Sequence, residues 1–328
     1  MHQWPLPQKA AQLFKLRIRA WDLIIVCGGI LSVATLFGFA GEVWWLLDLF
    51  SHFRLQYLFG LLVVALLLLF PRRYKACAVF GAFSVVNLCT IAPLYFRADL
   101  QPAKASQSYR ALLMNVNTET GRPEKVAAVI KQLDPDIVAL EEVNDQWLSA
   151  LAVPLKAYLF SKAMPREDNF GIALYSKHPF VTSEVLEIGE AGVPSVVAEL
   201  ELPSGRLTVI ATHPLPPGGA EYSRLRNDQL ARLPVVVKQA VSPVLLLGDL
   251  NATPWCPHFK RLLRESGLRD SSQGKRVLPT WPTYLPFMLI PIDHCLHTTG
   301  VDIQKKSLGP RIGSDHYPVV VDFVLSPP

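Results

Sequence analysis

Three long apolar runs fall within the first hundred residues of this 328-residue chain, and they restrict what its N-terminal third can form. The runs cover residues 23–40, 55–70 and 76–96, and the first contains no charged residue. A helix needs about 20 apolar residues to span a bilayer. The runs therefore predict about three transmembrane helices over residues 1–98. The alternative is buried helices in a soluble core, but a small domain has little room for three such runs.

Basic residues flank the apolar runs unevenly, and this pattern predicts an orientation. Arg54 is the only basic residue in the loop at 41–54. The segment before the first run holds Lys9, Lys15, Arg17 and Arg19, and the loop after the second run holds Arg72, Arg73 and Lys75. Basic loops tend to stay in the cytoplasm. We therefore expect a multi-pass protein of a bacterial inner membrane, with the residues after Phe96 on the outer, periplasmic face. If the second run does not cross, those residues return to the cytoplasm.

The pattern changes after a short polar linker at 99–109, and residues 110–328 have the features of a separate domain. Helical periodicity occurs at 124–133 and 224–239, where we expect Pro234 to kink or end the helix. The predicted strands are 111–114, 137–140, 172–175, 195–200, 207–212, 244–247 and 319–324. Most are continuously apolar, as expected for strands covered on both faces. The sequence predicts an α/β fold with helices layered on sheets.

Polar side chains recur where these predicted strands end or begin. They are Asn115, Glu141, Glu142, His213, Asp249, Asn251, Asp293, His294, Asp315 and His316. Charged groups at buried strand ends are costly unless they share a cleft. Carboxylates in such a cleft can hold a hard cation such as Mg²⁺, and histidines can act as acid or base. The chain lacks the GxSxG and GxxxxGK[ST] patterns, which disfavours a serine hydrolase or a P-loop NTPase.

Seven segments together resemble a known family. They are LLMNVN at 112–117, DIVALEEV at 136–143, FGIALYSKHP at 170–179, ATHPLPP at 211–217, LLLGDLNATPW at 245–255, PIDHCL at 291–296 and GSDHYPV at 313–319. In this order they resemble the endonuclease/exonuclease/phosphatase superfamily, which includes deoxyribonuclease I. The resemblance covers about residues 110–323. It implies a four-layered α/β sandwich, a site at one edge of the paired sheets, and Mg²⁺ or Mn²⁺ as the cofactor.

The resemblance also implies roles for single residues. Glu142 corresponds to the family's metal-binding glutamate, and Glu141 stands where a glutamine is usual. Asn115 corresponds to an asparagine near the metal. Asp249 corresponds to the residue that orients or activates the attacking water, and Asn251 to a donor to the phosphate.

The other candidate residues surround a histidine at the C-terminal end of the pattern. His316 corresponds to the general acid/base or phosphate-polarising histidine. We predict Asp293 as the carboxylate that orients it, whereas the family variously assigns Asp315 to metal or to the ring. His213 resembles a second histidine of the deoxyribonuclease I branch, and Asn169 is the nearest counterpart of that histidine's glutamate partner.

Several candidates also have structural explanations. Asp249 and Asn251 can form an ordinary Asx turn, His213 can be a loop histidine, and Asn169 can be a turn residue. Trp281 can line the groove or belong to the core. A basic stretch can be a solvated helix face or a contact to a phosphate backbone; it consists of Lys260, Arg261, Arg264, Lys275 and Arg276.

We therefore predict a membrane-anchored, metal-dependent phosphodiesterase that hydrolyses a phosphate ester by in-line attack of water. A nuclease acting on nucleic acid is the first hypothesis. The alternative is a lipid-headgroup (sphingomyelinase-like) phosphodiesterase or a phosphatase, because a membrane tether holds the site near a bilayer. A further alternative is a membrane scaffold without catalysis, but such a protein does not need so many ionisable groups in one cleft.

Overall fold

The computed structural model describes residues 19–96, 107–274 and 277–326. Most of the predicted linker lies outside these residues, as do Lys9, Lys15, Arg17, Lys275 and Arg276. The helices are α1 (Ala20–Phe37), α2 (Trp45–Leu49), α3 (Arg54–Leu67), α4 (Tyr74–Ile91), α5 (Pro123–Leu133), α6 (Asp145–Leu151), α7 (Ala220–Gln239) and α8 (Pro257–Ser266). The strands are β1 (Tyr109–Asn115), β2 (Ile137–Glu141), β3 (Phe160–Met164), β4 (Ile172–Ser176), β5 (Phe180–Glu187), β6 (Pro194–Leu202), β7 (Gly205–Thr212), β8 (Val244–Asp249), β9 (Arg269–Asp270), β10 (Asp293–His297), β11 (Val301–Leu308) and β12 (Val319–Leu325).

Two helices of the described chain are long and apolar enough to cross a membrane, namely α1 and the helical segment Tyr74–Leu94. The prediction of about three transmembrane helices is wrong by this measure, because α3 has only 14 residues. The end of its apolar run forms the turn that leads into α4. A core helix of a soluble protein is mostly buried, whereas only 22% of each candidate span is buried.

Helices α1, α3 and α4 pack against one another around Leu61, Leu68 and Phe80. Their outer faces are apolar and exposed, as at Ile30 and Phe59, whose exposed fractions are 62% and 61%. Residues near the start of α1 and before α4 lie together, while the end of α1 contacts the start of α3. Helices α1 and α4 therefore run in the same direction, and α3 runs back between them.

Two six-stranded sheets form the rest of the molecule. Their strand orders are β11-β12-β1-β2-β4-β3 and β5-β6-β7-β8-β10-β9. The pairs β1–β2 and β7–β8 are parallel, and the other pairs are antiparallel. One apolar cluster fills the space between the sheets, and two others lie under the helices on the outer faces. The predicted α/β sandwich is confirmed.

Helix α7 departs from the expectation at Pro234. It continues through this proline to Gln239, although a proline inside a helix cannot donate a backbone hydrogen bond. Pro234 itself is buried against the sheet side of α7, and its neighbours Leu233 and Val237 belong to the apolar cluster there. Packing against the sheet therefore overrides the local preference.

The C-terminal ends of α1 and α4 face the sandwich, and a buried group of polar residues joins the two regions. We name Asp48, His52, Arg226, Thr253 and Cys256 the junction cluster. The Asp48 carboxylate accepts from the Arg226 guanidinium at 2.5 Å and from the Cys256 thiol at 3.4 Å. The His52 ring contacts the Thr253 hydroxyl at 3.2 Å. Both ionised partners, Asp48 and Arg226, are almost completely buried.

Candidate active site

Strand pairing brings the polar strand ends to one edge of the sandwich. Asn115 at the end of β1 lies opposite Glu141 at the end of β2. Asp249 at the end of β8 lies opposite Asp293 at the start of β10. The apolar segment 289–292 before Asp293 is not a strand: it forms only an isolated bridge, between Ile290 and Trp281, and Pro291 has no N–H to donate. Because β10 runs antiparallel to β8, Asp293 still reaches the same edge.

Gly248, just before Asp249, permits a close approach of two strands. A Cβ atom at this position would lie 2.0 Å from the carbonyl oxygen of Thr212 and 3.4 Å from Oε1 of Glu141. Any larger residue would push the end of β8 away from the end of β7. Glycine therefore sets the spacing between Asp249 and the residues that follow Thr212.

The two adjacent glutamates point in different directions, as expected for neighbouring residues at the end of a strand. Glu141 is fully buried and accepts a hydrogen bond from the backbone N–H of Asp249 at 3.1 Å. Glu142 has a left-handed backbone, with φ of 59°, and lines the cavity described below. The Asn115 amide donates to Glu142 at 2.8 Å and to Asp249 at 3.4 Å. Glu142 is therefore the one that faces the cavity.

His316 lies between two buried carboxylates. Its Nδ1 atom is 2.9 Å from Oδ2 of Asp293, and its Nε2 atom is 3.7 Å from Oδ2 of Asp249. The hydroxyl of Ser314 accepts from the His316 backbone N–H and donates to the carbonyl of Asn115. The segment before β12 is thereby fixed to the end of β1.

His213 and Asn251 approach Asp249 from the other side. Nε2 of His213 is 3.6 Å from Oδ2 of Asp249 and 3.4 Å from the Asn251 amide nitrogen. The Asn251 backbone N–H donates to Asp249 at 2.9 Å, which closes an Asx turn. Asn251 has a left-handed backbone, with φ of 48°. Asparagine adopts this conformation readily, whereas glutamate does not, so the left-handed Glu142 is the residue with a strained backbone, a feature common at functional sites.

The remaining sequence candidates lie around this group. The carboxylate of Asp315 accepts from Asn117 at 2.7 Å and from the Trp281 indole at 2.8 Å. Trp281 also lies beside the His316 ring, with ring centroids 6.4 Å apart. Asn169 lines the cavity on an exposed turn. The structure thus brings the sequence candidates to one edge, where Asn115, Glu141 and Asp293 lie behind the residues that line the cavity. His294 is the exception, because its ring contacts the carbonyl of Ala252 and the ring of Phe259 instead.

The buried charges perturb one another. Burial and the Asp293 charge raise the pKa of Asp249 to about 8. Burial opposes protonation of His316, but Asp293 and Asp249 outweigh it and raise the pKa of His316 to about 10. Burial lowers the pKa of His213 to about 3, and burial raises that of Glu142. The group therefore combines one cationic ring, one neutral ring and several crowded carboxyl groups.

A cavity of about 690 Å³ is lined by the polar group Glu142, Asn169, His213, Asp249, Asn251, Trp281, Asp315 and His316. Apart from the polar group, its walls include Leu49, His52 and Phe53 from the N-terminal region and Ile290 and Ile292 from the segment before β10. In the described chain no lysine or arginine lines the cavity. The basic residues Lys260, Arg261 and Arg264 lie on α8, outside it.

The donor set fits a divalent cation. Asp249, Asp293 and His316 each offer an atom within 4.8 Å of the others. Oδ1 of Asp293 is buried and has no hydrogen-bond partner. Over the described ranges, no lysine or arginine forms an ion pair with any of the five carboxyl groups here, which are Glu141, Glu142, Asp249, Asp293 and Asp315. A surplus of oxygen ligands with negative charge is what a hard cation such as Mg²⁺ requires.

Sequence reasoning missed the contribution of the N-terminal region. Leu49 and Phe53 resemble any other residues of an apolar segment, so the sequence carries no signal that they line a cavity. His52 is a lone histidine beside that segment. Asn117 was also missed, although it stands in the quoted LLMNVN segment and its left-handed φ of 51° is typical of asparagine.

Comparison with known proteins agrees with the geometry. Residues 112–316 match the model of the Endonuclease/Exonuclease/phosphatase family. A protein of that description from Beutenbergia cavernae is 23% identical, with 67% of this chain and 72% of that chain covered and a TM-score of 0.54. D. rerio TDP2 with a single-strand DNA product is 16% identical, with coverage of 67% and 100% and a TM-score of 0.56. A mannosyl-6-phosphatase of Bacteroides thetaiotaomicron is 15% identical, with coverage of 66% and 100% and a TM-score of 0.54.

Proposed function

Because the chain belongs to the endonuclease/exonuclease/phosphatase family, we propose that it hydrolyses a phosphate ester in this cavity with the help of Mg²⁺ or Mn²⁺. The observation that carries the proposal is a group of five carboxyl groups beside two histidines, none of which has a lysine or arginine partner among the described residues. Such a group is costly in a folded protein, and a purely structural cluster would be balanced by lysine or arginine. A bound cation and a phosphate group would together balance it.

The proposed roles follow from the contacts. Glu142, held by Asn115, and Asp249 would hold the cation. When bound, the cation offsets the phosphate charge and supports the leaving oxygen. Asp315, held by Asn117 and Trp281, adds negative charge at the same edge.

The reaction is an in-line displacement at phosphorus. Asp249 orients the water and accepts its proton, the water oxygen bonds to phosphorus, and the ester P–O bond breaks. The departing oxygen takes up a proton. His316, kept cationic by Asp293, donates to a phosphate oxygen, and the neutral His213 with Asn251 supplies two further donors.

Nucleic acid is one candidate substrate, favoured by the D. rerio TDP2 structure with its single-strand DNA product. Against it stands the lack of lysine and arginine in the described cavity lining, because proteins bind nucleic-acid backbones chiefly through such residues.

We also propose that α1 and α4, the two helices that are long and apolar enough to span, anchor the chain in a membrane. Their exposed apolar faces support this, since such large apolar surfaces are rare on soluble monomers. Arg72, Arg73 and Lys75 lie at the end of the bundle away from the sandwich. By the preference of basic loops for the cytoplasm, the sandwich would lie on the outer face of a bacterial inner membrane.

The test uses the full chain purified in detergent. It would be assayed with bis-p-nitrophenyl phosphate and with plasmid DNA, in Mg²⁺, in Mn²⁺ and in EDTA. We expect metal-dependent turnover that falls about 10²- to 10⁴-fold in Asp249→Asn and in His316→Gln. The matched controls are Asp270→Asn, a buried carboxyl group outside the cavity, and His178→Gln, which pairs with Asp136 at the surface. Turnover that persists in EDTA, or equal loss in the controls, would refute the proposal.

A further inference from the structure

The cavity lining divides into two chemically different groups of residues. One group holds the carboxylates and histidines described above. The other, which we call the apolar end, consists of Leu49 and Phe53, next to the start of α3, and of Ile290 and Ile292 from the segment before β10. A small hydrophilic phosphate ester has no hydrocarbon to pack against these apolar side chains, so a site for it would gain nothing from them.

The apolar end continues into the exposed apolar surface of the N-terminal helices. Phe53 directly precedes α3, whose outer face includes Phe59. The side chain of Gln56 donates to the carbonyl of Leu289 at 3.0 Å and so ties the start of α3 to the segment before β10. The side chain of Phe287 in that same segment is 73% exposed. Apolar surface therefore borders the cavity on both sides.

The charge of the lining is consistent with a single phosphate group. No lysine or arginine lines the described cavity to track a chain of phosphates. One anion bound with a cation among Glu142, Asp249 and His316 leaves the apolar end for an uncharged part of the substrate.

We infer that the substrate is a phosphate ester carrying a long hydrocarbon chain, with its phosphate among Glu142, Asp249 and His316. The chain lies along Leu49, Phe53 and Ile290 and leads toward the bilayer in which the helices are embedded. The inference rests on the proposed function and adds the substrate class to it. It also makes Leu49 and Phe53, which belong to the N-terminal region, residues that determine specificity.

The experiment compares two diesters with the same leaving group, methyl p-nitrophenyl phosphate and hexadecyl p-nitrophenyl phosphate. The full chain is assayed with Mg²⁺ at a fixed detergent concentration, with single-stranded DNA as a third substrate. Phe53→Ser removes part of the apolar wall. Phe59→Ser makes the same chemical change on the outer face of α3 and is the matched control. The readout is the ratio of kcat/KM for the hexadecyl ester to that for the methyl ester.

We expect this ratio to exceed about tenfold in the wild type, because each buried methylene adds to the affinity for the chain. Phe53→Ser should lower the ratio at least about fivefold, and Phe59→Ser should leave it unchanged. Equal kcat/KM for the two esters would overturn the inference, as would equal ratios in Phe53→Ser and the wild type. Preferential turnover of single-stranded DNA would also overturn it, while the proposed function would stand.

Turnover of none of the substrates would refute the proposed function, and binding then decides the inference separately. The probes are hexadecylphosphonate and methylphosphonate, titrated calorimetrically under the same conditions. Tighter binding of the hexadecyl compound that is weakened in Phe53→Ser but not in Phe59→Ser supports the chain-binding wall. Equal affinities for the two compounds, or equal weakening in the two variants, rule it out.

Discussion

Two buried polar groups lie side by side in this protein and differ in how their charge is balanced. In the junction cluster, the Asp48 carboxylate has one arginine as its partner and accepts from Ser51 and Cys256 as well. At the candidate active site, five carboxyl groups share one cationic histidine. The groups are connected, because Arg226 donates to the carbonyl of Asn251 at 2.9 Å and the Asn251 N–H donates to Asp249.

Charge balance changes the proton affinity of otherwise similar carboxyl groups. Burial alone would raise the pKa of Asp48, but Arg226 outweighs burial and lowers it below its usual value. Asp249, equally buried, has a raised pKa because Asp293 adds to the effect of burial. A balanced pair holds two regions together, whereas an unbalanced group is suited to bind a cation or move a proton. Burial by itself does not distinguish the two functions.

The largest expected effect on stability comes from breaking the balanced pair. Arg226→Met would leave Asp48 buried without its partner, and we expect the free energy of unfolding to fall by about 3–5 kcal/mol. Chemical denaturation of the full chain in detergent measures it. Arg224→Met, on an exposed face of the same helix, is the matched control, and its free energy of unfolding should stay close to that of the wild type.

A double variant separates the effect of the unpaired charge on stability from the effect of lost packing. Replacing both partners, Asp48→Leu with Arg226→Met, removes the unpaired carboxylate and should recover most of the lost stability. If Arg226→Met were no more harmful than Arg224→Met, the junction cluster would not be a buried ion pair in solution.

A smaller effect is expected from binding a cation to the unbalanced group. Mg²⁺ at about one hundred times its dissociation constant should raise the free energy of unfolding by about 2.7 kcal/mol. Glu142→Gln should weaken this stabilisation, whereas Glu265→Gln, which is paired with Arg261 on the surface of α8, should preserve it. The measurement is thermal unfolding across a Mg²⁺ titration. Equal stabilisation of both variants would mean that the cation binds elsewhere.

The smallest expected effect concerns His52 and pH. Burial lowers the pKa of His52 to about 4, although Asp48 partly opposes this. The unfolded chain therefore binds this proton more readily than the folded chain does. Stability is fully present above about pH 6.5 and is lost as the pH falls toward 4, by roughly 2 kcal/mol between pH 7 and pH 5.

The pH prediction is checked by comparing the wild type with His52→Gln. The variant should lose less stability than the wild type over the same interval. His178→Gln, at a half-buried histidine outside the junction cluster, is the control for the chemical change itself. A wild-type curve parallel to that of His52→Gln would show that His52 does not titrate in this way.

The sequence predicted most inner strands of the sandwich because they are apolar on both faces, but it missed the inner strand β10, which carries Asp293, His294 and His297. It also missed β3, β5, β9 and β11, which lie at the sheet edges and hold exposed or half-buried residues. Their exposed side chains give them the composition of loops. The α/β sandwich could therefore be derived from buried strands, but the number of strands could not.

The candidate site residues could be predicted because ionisable and amide side chains are unusual at the ends of buried strands. The contact between Asp293 and His316 depends on pairing between distant strands, and so does the burial of Glu141. The identities of these residues nevertheless indicated that they belong to the site. Leu49 and Phe53 could not be found in this way, since an apolar side chain has the same appearance in a membrane helix, a core or a substrate wall. Polar site residues can be recognised from local sequence, and apolar ones only from the fold.

The contact between the N-terminal region and the sandwich affects the synthesis of the protein and its proteolytic release from a membrane. During synthesis the N-terminal region emerges before the sandwich, so Asp48 is present when Arg226 needs a partner. A fragment freed of residues 1–96 would keep its carboxylates and histidines but would lose Leu49 and Phe53 from the cavity and the partner of a buried guanidinium. Proteolytic shedding from a membrane would therefore inactivate the proposed hydrolase rather than release it in working form.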